Sequence, residues 1–115
     1  MSDADDADDQ QLEASAQELE IPEAVLDARA GVELLRFWIS AGEEHVALNI
    51  GAMGEREVEQ WGMILADISV HVIAALCQDD TSRNPDDLRA MIERAYRARL
   101  ESKGISHKGA IGRLN

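Results

Sequence analysis

A chain of 115 residues with a formal net charge of −12 has room for one domain and little beside it. Its lone cysteine, Cys77, excludes an intramolecular disulfide and any metal site built on several thiolates, which fits a reducing compartment. The negative balance opposes nucleic acid and anionic membrane as main partners, because both would be repelled. The surplus is uneven: residues 1–23 hold nine acids and no base, and the balance turns positive only in 83–115, with eight bases against four acids.

Residues 1–20 are acidic and lack aromatics, so they bury too little apolar surface to offset their ordering entropy. A disordered tail is expected there. The N-terminus has neither the positive region nor the apolar stretch of a secretory signal. Pro22 suits the start of a short helix that Glu23 to Ala30 continue and Gly31 ends.

Glu33 to Ser40 and His45 to Ile50 flank Ala41-Gly42-Glu43-Glu44 and read as a β-hairpin. The expected register sets Leu35 opposite Ile50, Phe37 opposite Leu48 and Ile39 opposite Val46, all on one apolar face. The other face then pairs Arg36 with Asn49, Trp38 with Ala47 and Ser40 with His45.

After the loop Gly51-Ala-Met-Gly54, a long helix is expected from about Glu55 to Gln78. Acidic residues in its first turns favour the positive end of the helix dipole. Val58, Trp61, Leu65, Ile68, Val72 and Leu76 form its main apolar stripe, and the polar remainder is little more than Gln60, Asp67, His71 and Gln78. Asp67 and His71 inside this run argue against a bilayer span. A helix so apolar belongs at the centre of a fold or of an assembly. Asn84, Pro85 and Asp87 mark the start of a second helix, which Gly104 ends; Glu93–Arg97 and Arg97–Glu101 are its expected surface pairs. Residues 104–115 are expected to be a flexible tail, leaving 21–103 as the domain.

Glu33-Leu-Leu-Arg-Phe-Trp-Ile39, His45-Val-Ala-Leu48 and Trp61-Gly-Met-Ile-Leu-Ala-Asp-Ile-Ser-Val-His71 together resemble a small bacterial domain-of-unknown-function family. That family carries an Arg-x-Trp strand, a His-Val-x-Leu strand and a Trp-Gly-x-x-Leu-x-Asp-x-x-x-His helix. The likeness spans about residues 22–100 and implies a fold, with no activity, substrate or cofactor attached.

Asp67 and His71 lie four apart on one helix, where a carboxylate can orient an imidazole. Such a pair is more often structural than catalytic, and no nucleophile is placed beside it. His45, His71 and Asp67 would make a two-His, one-carboxylate metal set only if the polar faces of hairpin and helix met. Cys77 on an apolar helix reads as an inert buried thiol. No phosphate loop, dinucleotide fingerprint or nucleophile elbow is present. Trp38 with Arg36 on the polar face of the hairpin is the strongest binding feature, because both types are enriched at interface hot spots. Cover by the chain's own N-terminal segment is the plainer alternative.

The reading is therefore an α+β protein: a short helix, a hairpin, a long central helix and a second helix, with the sheet extended across a homodimer to close an open edge. The expected function is a non-catalytic interaction or adaptor module in the cytoplasm. It needs no cofactor or metal, and its partners are a second copy and an unidentified protein. Arg36, Trp38, His45, Asn49, Asp67 and His71 are the candidate surface. Two alternatives stay open: a small-molecule-binding or enzymatic domain using Arg36, His45, Asp67 and His71, and an acidic chaperone or nucleic-acid mimic acting through the tail.

Overall fold

The computed structural model describes residues 16–102 and 109–112. The tail expected over 1–20 lies mostly outside that range. The chain divides into two units, Met1–Val32 and Glu33–Asn115.

In the first unit, Glu23–Ala28 form helix α1, entered from Pro22. The helix stops at Arg29, whose φ of 54° puts it in the left-handed region, before the expected stop at Gly31. The Arg29 N–H closes the end by donating to the Leu26 carbonyl.

The second unit begins with the hairpin, strands β1 (Leu35–Ser40) and β2 (Glu43–Asn49), paired antiparallel. Phe37 faces Val46, Trp38 faces His45 and Arg36 faces Ala47, so each β1 residue meets a partner two places earlier in β2 than the expected register. The turn decides this. Its central residues are Ala41 and Gly42, with φ of 53° and 77°, the two positive values of a type I′ turn. The expected register would centre the two-residue turn on Gly42 and Glu43, forcing the bulky Glu43 into the left-handed region. A slip of two keeps every residue on its face, so Leu35, Phe37, Leu48 and Val46 still share one side and Arg36, Trp38 and His45 the other.

Helix α2 (Glu57–Asp79) follows a single 3₁₀ turn at Gly54–Arg56, and helix α3 (Pro85–Glu101) follows α2. The start of α3 is as expected: the Asn84 side chain accepts from the N–H groups of Asp86 (2.9 Å) and Asp87 (3.2 Å), with Pro85 at the first position. On its surface the ion pair is Arg89–Glu93, at 2.9 Å, one turn before the pairs expected. Between the helices, Asp80 accepts from the Ser82 backbone (3.0 Å) and hydroxyl (2.6 Å), and the Arg83 N–H donates to the Asp80 carbonyl.

Gly109–Gly112, within the segment expected to be a flexible tail, form strand β3. It runs parallel to β2, with Val46 opposite Gly109 and Asn49 opposite Gly112, giving the sheet order β1-β2-β3. A parallel pair needs a long crossover, and the two helices supply it. Glycine and alanine disfavour strands in isolation, which is why this segment carries little signal in sequence. Here its backbone takes up the second edge of β2 and leaves β1 at an edge of the sheet.

Among the described residues no apolar side chain is buried, and the buried polar residue is Asn49, 5% exposed. The apolar face of the hairpin is left open: Phe37 is 53% exposed and Ile39 72%. Leu88 and Ile92 of α3, and Ile73, Leu76 and Cys77 of α2, are only half-buried.

Candidate functional site

The hairpin residues expected to form a binding face divide into occupied and half-covered ones. Glu33 holds Arg36 in a two-point contact, Nε to Oε1 at 2.9 Å and an amino nitrogen to Oε2 at 3.1 Å. Trp38 and His45 are opposite one another and half-buried. Asn49 is not on an open face. Its N–H donates to the Leu34 carbonyl (2.9 Å), extending the ladder beyond β1, and its side-chain amide lies 3.5 Å from the Glu33 carbonyl. Arg36, Trp38 and His45 thus share one face of the hairpin, and Asn49 serves the structure.

Asp67 and His71 stand on α2, both exposed, and make no hydrogen bond or ion pair with each other. The spacing permits contact but the exposed helix surface gives it little reward, as such pairs are worth about 0–1 kcal/mol. Among the described residues no cluster of three or more His, Cys, Asp or Glu side chains is placed to hold a metal ion. Cys77 is a free, half-buried thiol whose Sγ lies 3.9 Å from the Arg83 carbonyl.

The loop Gly51-Ala-Met-Gly54 has a use that composition did not announce. Its inward N–H groups bind the carboxylate of Glu57: Gly51 donates at 2.8 and 3.0 Å and Met53 at 3.1 Å. A backbone concavity that would attract a phosphate is filled by the chain's own anion. The same contact fastens the end of β2 to the first turn of α2.

Apolar side chains are exposed along much of α2. Val58 on α2 is 86% exposed, Leu65 and Ile68 are each 40% exposed, and Val72, Met63 and Val70 are open as well. Trp61 is half-buried, and its indole Nε1 is enclosed with no protein hydrogen-bond partner. The helical segment Gly54–Asp79 is long and apolar enough to cross a bilayer by length and composition. Asp67 and His71 at its middle, and Glu55, Glu57, Glu59, Asp79 and Asp80 at its ends, are ill suited to one.

The three segments singled out in the sequence lie on the two strands and the long helix. Arg36-Phe-Trp38 is on β1, His45-Val-Ala-Leu48 on β2 and Trp61 to His71 on α2. A family profile, the domain of unknown function DUF5076, matches residues 18–104. The chain belongs to the DUF5076 family. No curated protein sequence matches it. Among solved structures it is similar to one described as "a putative pyruvate dehydrogenase from the photosynthetic bacterium Rhodopseudomonas palustrus CGA009". The identity is 19%, the match covers 81% of this chain and 93% of that one, and the TM-score is 0.61. This likeness is one of fold; at such identity it brings no activity to the DUF5076 chain.

Proposed function

We propose that this DUF5076 protein is a non-catalytic interaction module that works as a homodimer. The observation that carries the reading is the open apolar surface of α2 and of the hairpin, in a unit whose described apolar residues are nowhere buried. A domain of this size has little stability to spare even with a full core, so side chains such as Phe37, Ile39, Val58 and Ile68 require cover from outside the protomer.

A second copy has two candidate surfaces, the edge of β1 and the apolar faces of α2. Once the dimer is formed, Trp38 on the hairpin, with Arg36 and His45 beside it, is the surface for a further protein partner. The net charge of −12 opposes nucleic acid and anionic membranes as partners, and the lone Cys77 fits a reducing, cytoplasmic setting. The enzymatic alternative draws no support from Asp67 and His71, which make no contact with each other.

The test is thermal unfolding as a function of protein concentration. A dimer whose folding and association are coupled melts at a temperature that rises with concentration, by mass action. A melting temperature independent of concentration over a hundredfold range contradicts the reading.

A further inference from the structure

We infer that the homodimer is closed by α2 packing antiparallel against α2 of a second copy, along the seam Val58, Trp61, Leu65, Ile68, Val72 and Ala75. The inference rests on the homodimer reading above and adds its surface and geometry.

The seam is a feature of spacing. Its six residues are separated by three, four, three, four and three positions, the alternation that keeps one face of a helix turned toward a partner helix. Leu76, which periodicity alone assigns to the main stripe, is instead half-buried, while Ala75 beside it is exposed and continues the seam. Over 23 residues α2 is about 34 Å long, too short for a free-standing coiled coil but ample for a helix pair within a larger fold.

The seam is also complementary to its own reverse. An antiparallel pairing about the middle of the helix sets Val58 against the second copy's Ala75, Trp61 against Val72 and Leu65 against Ile68. Val58 and Trp61 thus meet smaller side chains, Leu65 meets an isomer of its own size, and each contact occurs twice, as a twofold axis requires. A parallel pairing would instead set Trp61 on Trp61 and align the two helix dipoles, along with the carboxylates of Glu57 and Glu59.

A second observation lies at the edge of the seam, toward the half-buried side of Ser69, Ile73 and Leu76. Gly62, one residue after Trp61, lies inside α2, and a Cβ built on it meets nothing within 4 Å. Glycine is unfavourable in a helix interior, and nothing in the protomer repays it. In the antiparallel pair Gly62 flanks the seam opposite Ser69 of the second copy, where a small residue lets the two backbones approach.

A bilayer is the competing occupant for an apolar helix. The carboxylates near both ends of α2 and Asp67 at its middle oppose it, whereas a second copy leaves Asp67 on the outer side of the pair.

Disulfide trapping in the full chain with Cys77→Ala tests the geometry. Val58→Cys and Ala75→Cys are prepared as separate, differently tagged variants, refolded together and oxidised. The antiparallel seam predicts a cross-link in the mixture and none in either variant alone, because two Val58 positions would lie about 25 Å apart along the pair. Self-cross-linking of each variant alone overturns the antiparallel geometry. A dimeric mass without any cross-link moves the interface to another surface, such as the β1 edge, and overturns the seam while sparing the homodimer. A monomeric mass removes both, as does a chain that stays monomeric in buffer and co-floats with phosphatidylcholine–phosphatidylglycerol vesicles. Gly62→Leu in the otherwise natural chain is the second variant: it should halve the mass seen by light scattering, and an unchanged dimer mass also overturns the seam.

Discussion

Glu57 lays its carboxylate across the backbone N–H of Gly51, with its two oxygens at 2.8 and 3.0 Å, and reaches Met53 at 3.1 Å. The contact fixes the angle at which the chain leaves the sheet and enters α2. A hydrogen bond to an ionised acceptor contributes about 1.5–3 kcal/mol, and with the Gly51 contacts exposed to solvent the whole set is worth about one such bond. Glu57→Ala should therefore lower the urea unfolding free energy by about 2 kcal/mol. An unchanged midpoint would mean that the loop holds its shape without the carboxylate.

The turn of the hairpin carries strain that can be removed. Ala41 sits at φ 53°, a conformation costing an L-residue about 1–2 kcal/mol, and asparagine tolerates it better. Ala41→Asn should raise stability by roughly 0.5–1 kcal/mol with the register unchanged, since Asn-Gly is the preferred type I′ pair. Loss of stability on this change would argue against the turn and against the pairing of Trp38 with His45.

Much of this architecture is legible in the sequence, and the failures have identifiable causes. The α+β class, the hairpin faces, the long helix and the Asn84 cap follow from periodicity and capping chemistry, which act locally. The register does not, because a slip of two preserves both faces, so only the φ requirements of Ala41 and Gly42 separate the two choices. Strand β3 escapes because only Ile111 of Gly109–Gly112 favours a strand, and the segment is specified by the edge it meets. Asn49 misleads because alternation places it on the polar face, whereas its backbone position at the end of β2 buries it. The role of Glu57 is visible only in part: its place in the first turn signals dipole stabilisation, but the loop it clasps depends on the fold.

Gly62 separates a free surface from a covered one. If this side of α2 faced solvent, Gly62→Ala would stabilise the chain by about 0.5–1 kcal/mol through helix propensity alone. Against a closely approaching second helix, the added methyl should instead lower the melting temperature and weaken association, measured by sedimentation. A gain in stability with unchanged association would place solvent there.

Asp80 gives the account a pH signature. The Ser82 hydroxyl, then the Ser82 backbone N–H, with Arg83 contributing less, hold its carboxyl below the ordinary value of 3.8. A depressed carboxyl stabilises the fold fully above the unfolded value and ceases to do so as pH falls through the lower, folded one. Asp80 should therefore titrate below 3.8 in a carboxyl chemical-shift experiment, and Ser82→Ala should move it upward. A Ser82→Ala variant that titrates where the natural chain does would show that the turn does not hold the charge.

In the proposed dimer, each chain completes its core only with a second copy of itself. Multi-angle light scattering at micromolar concentration, with circular dichroism on the same sample, measures this directly. The account predicts twice the chain mass of 12.6 kDa together with a helical spectrum. A monodisperse species of 12.6 kDa that is helical and unfolds cooperatively would contradict it.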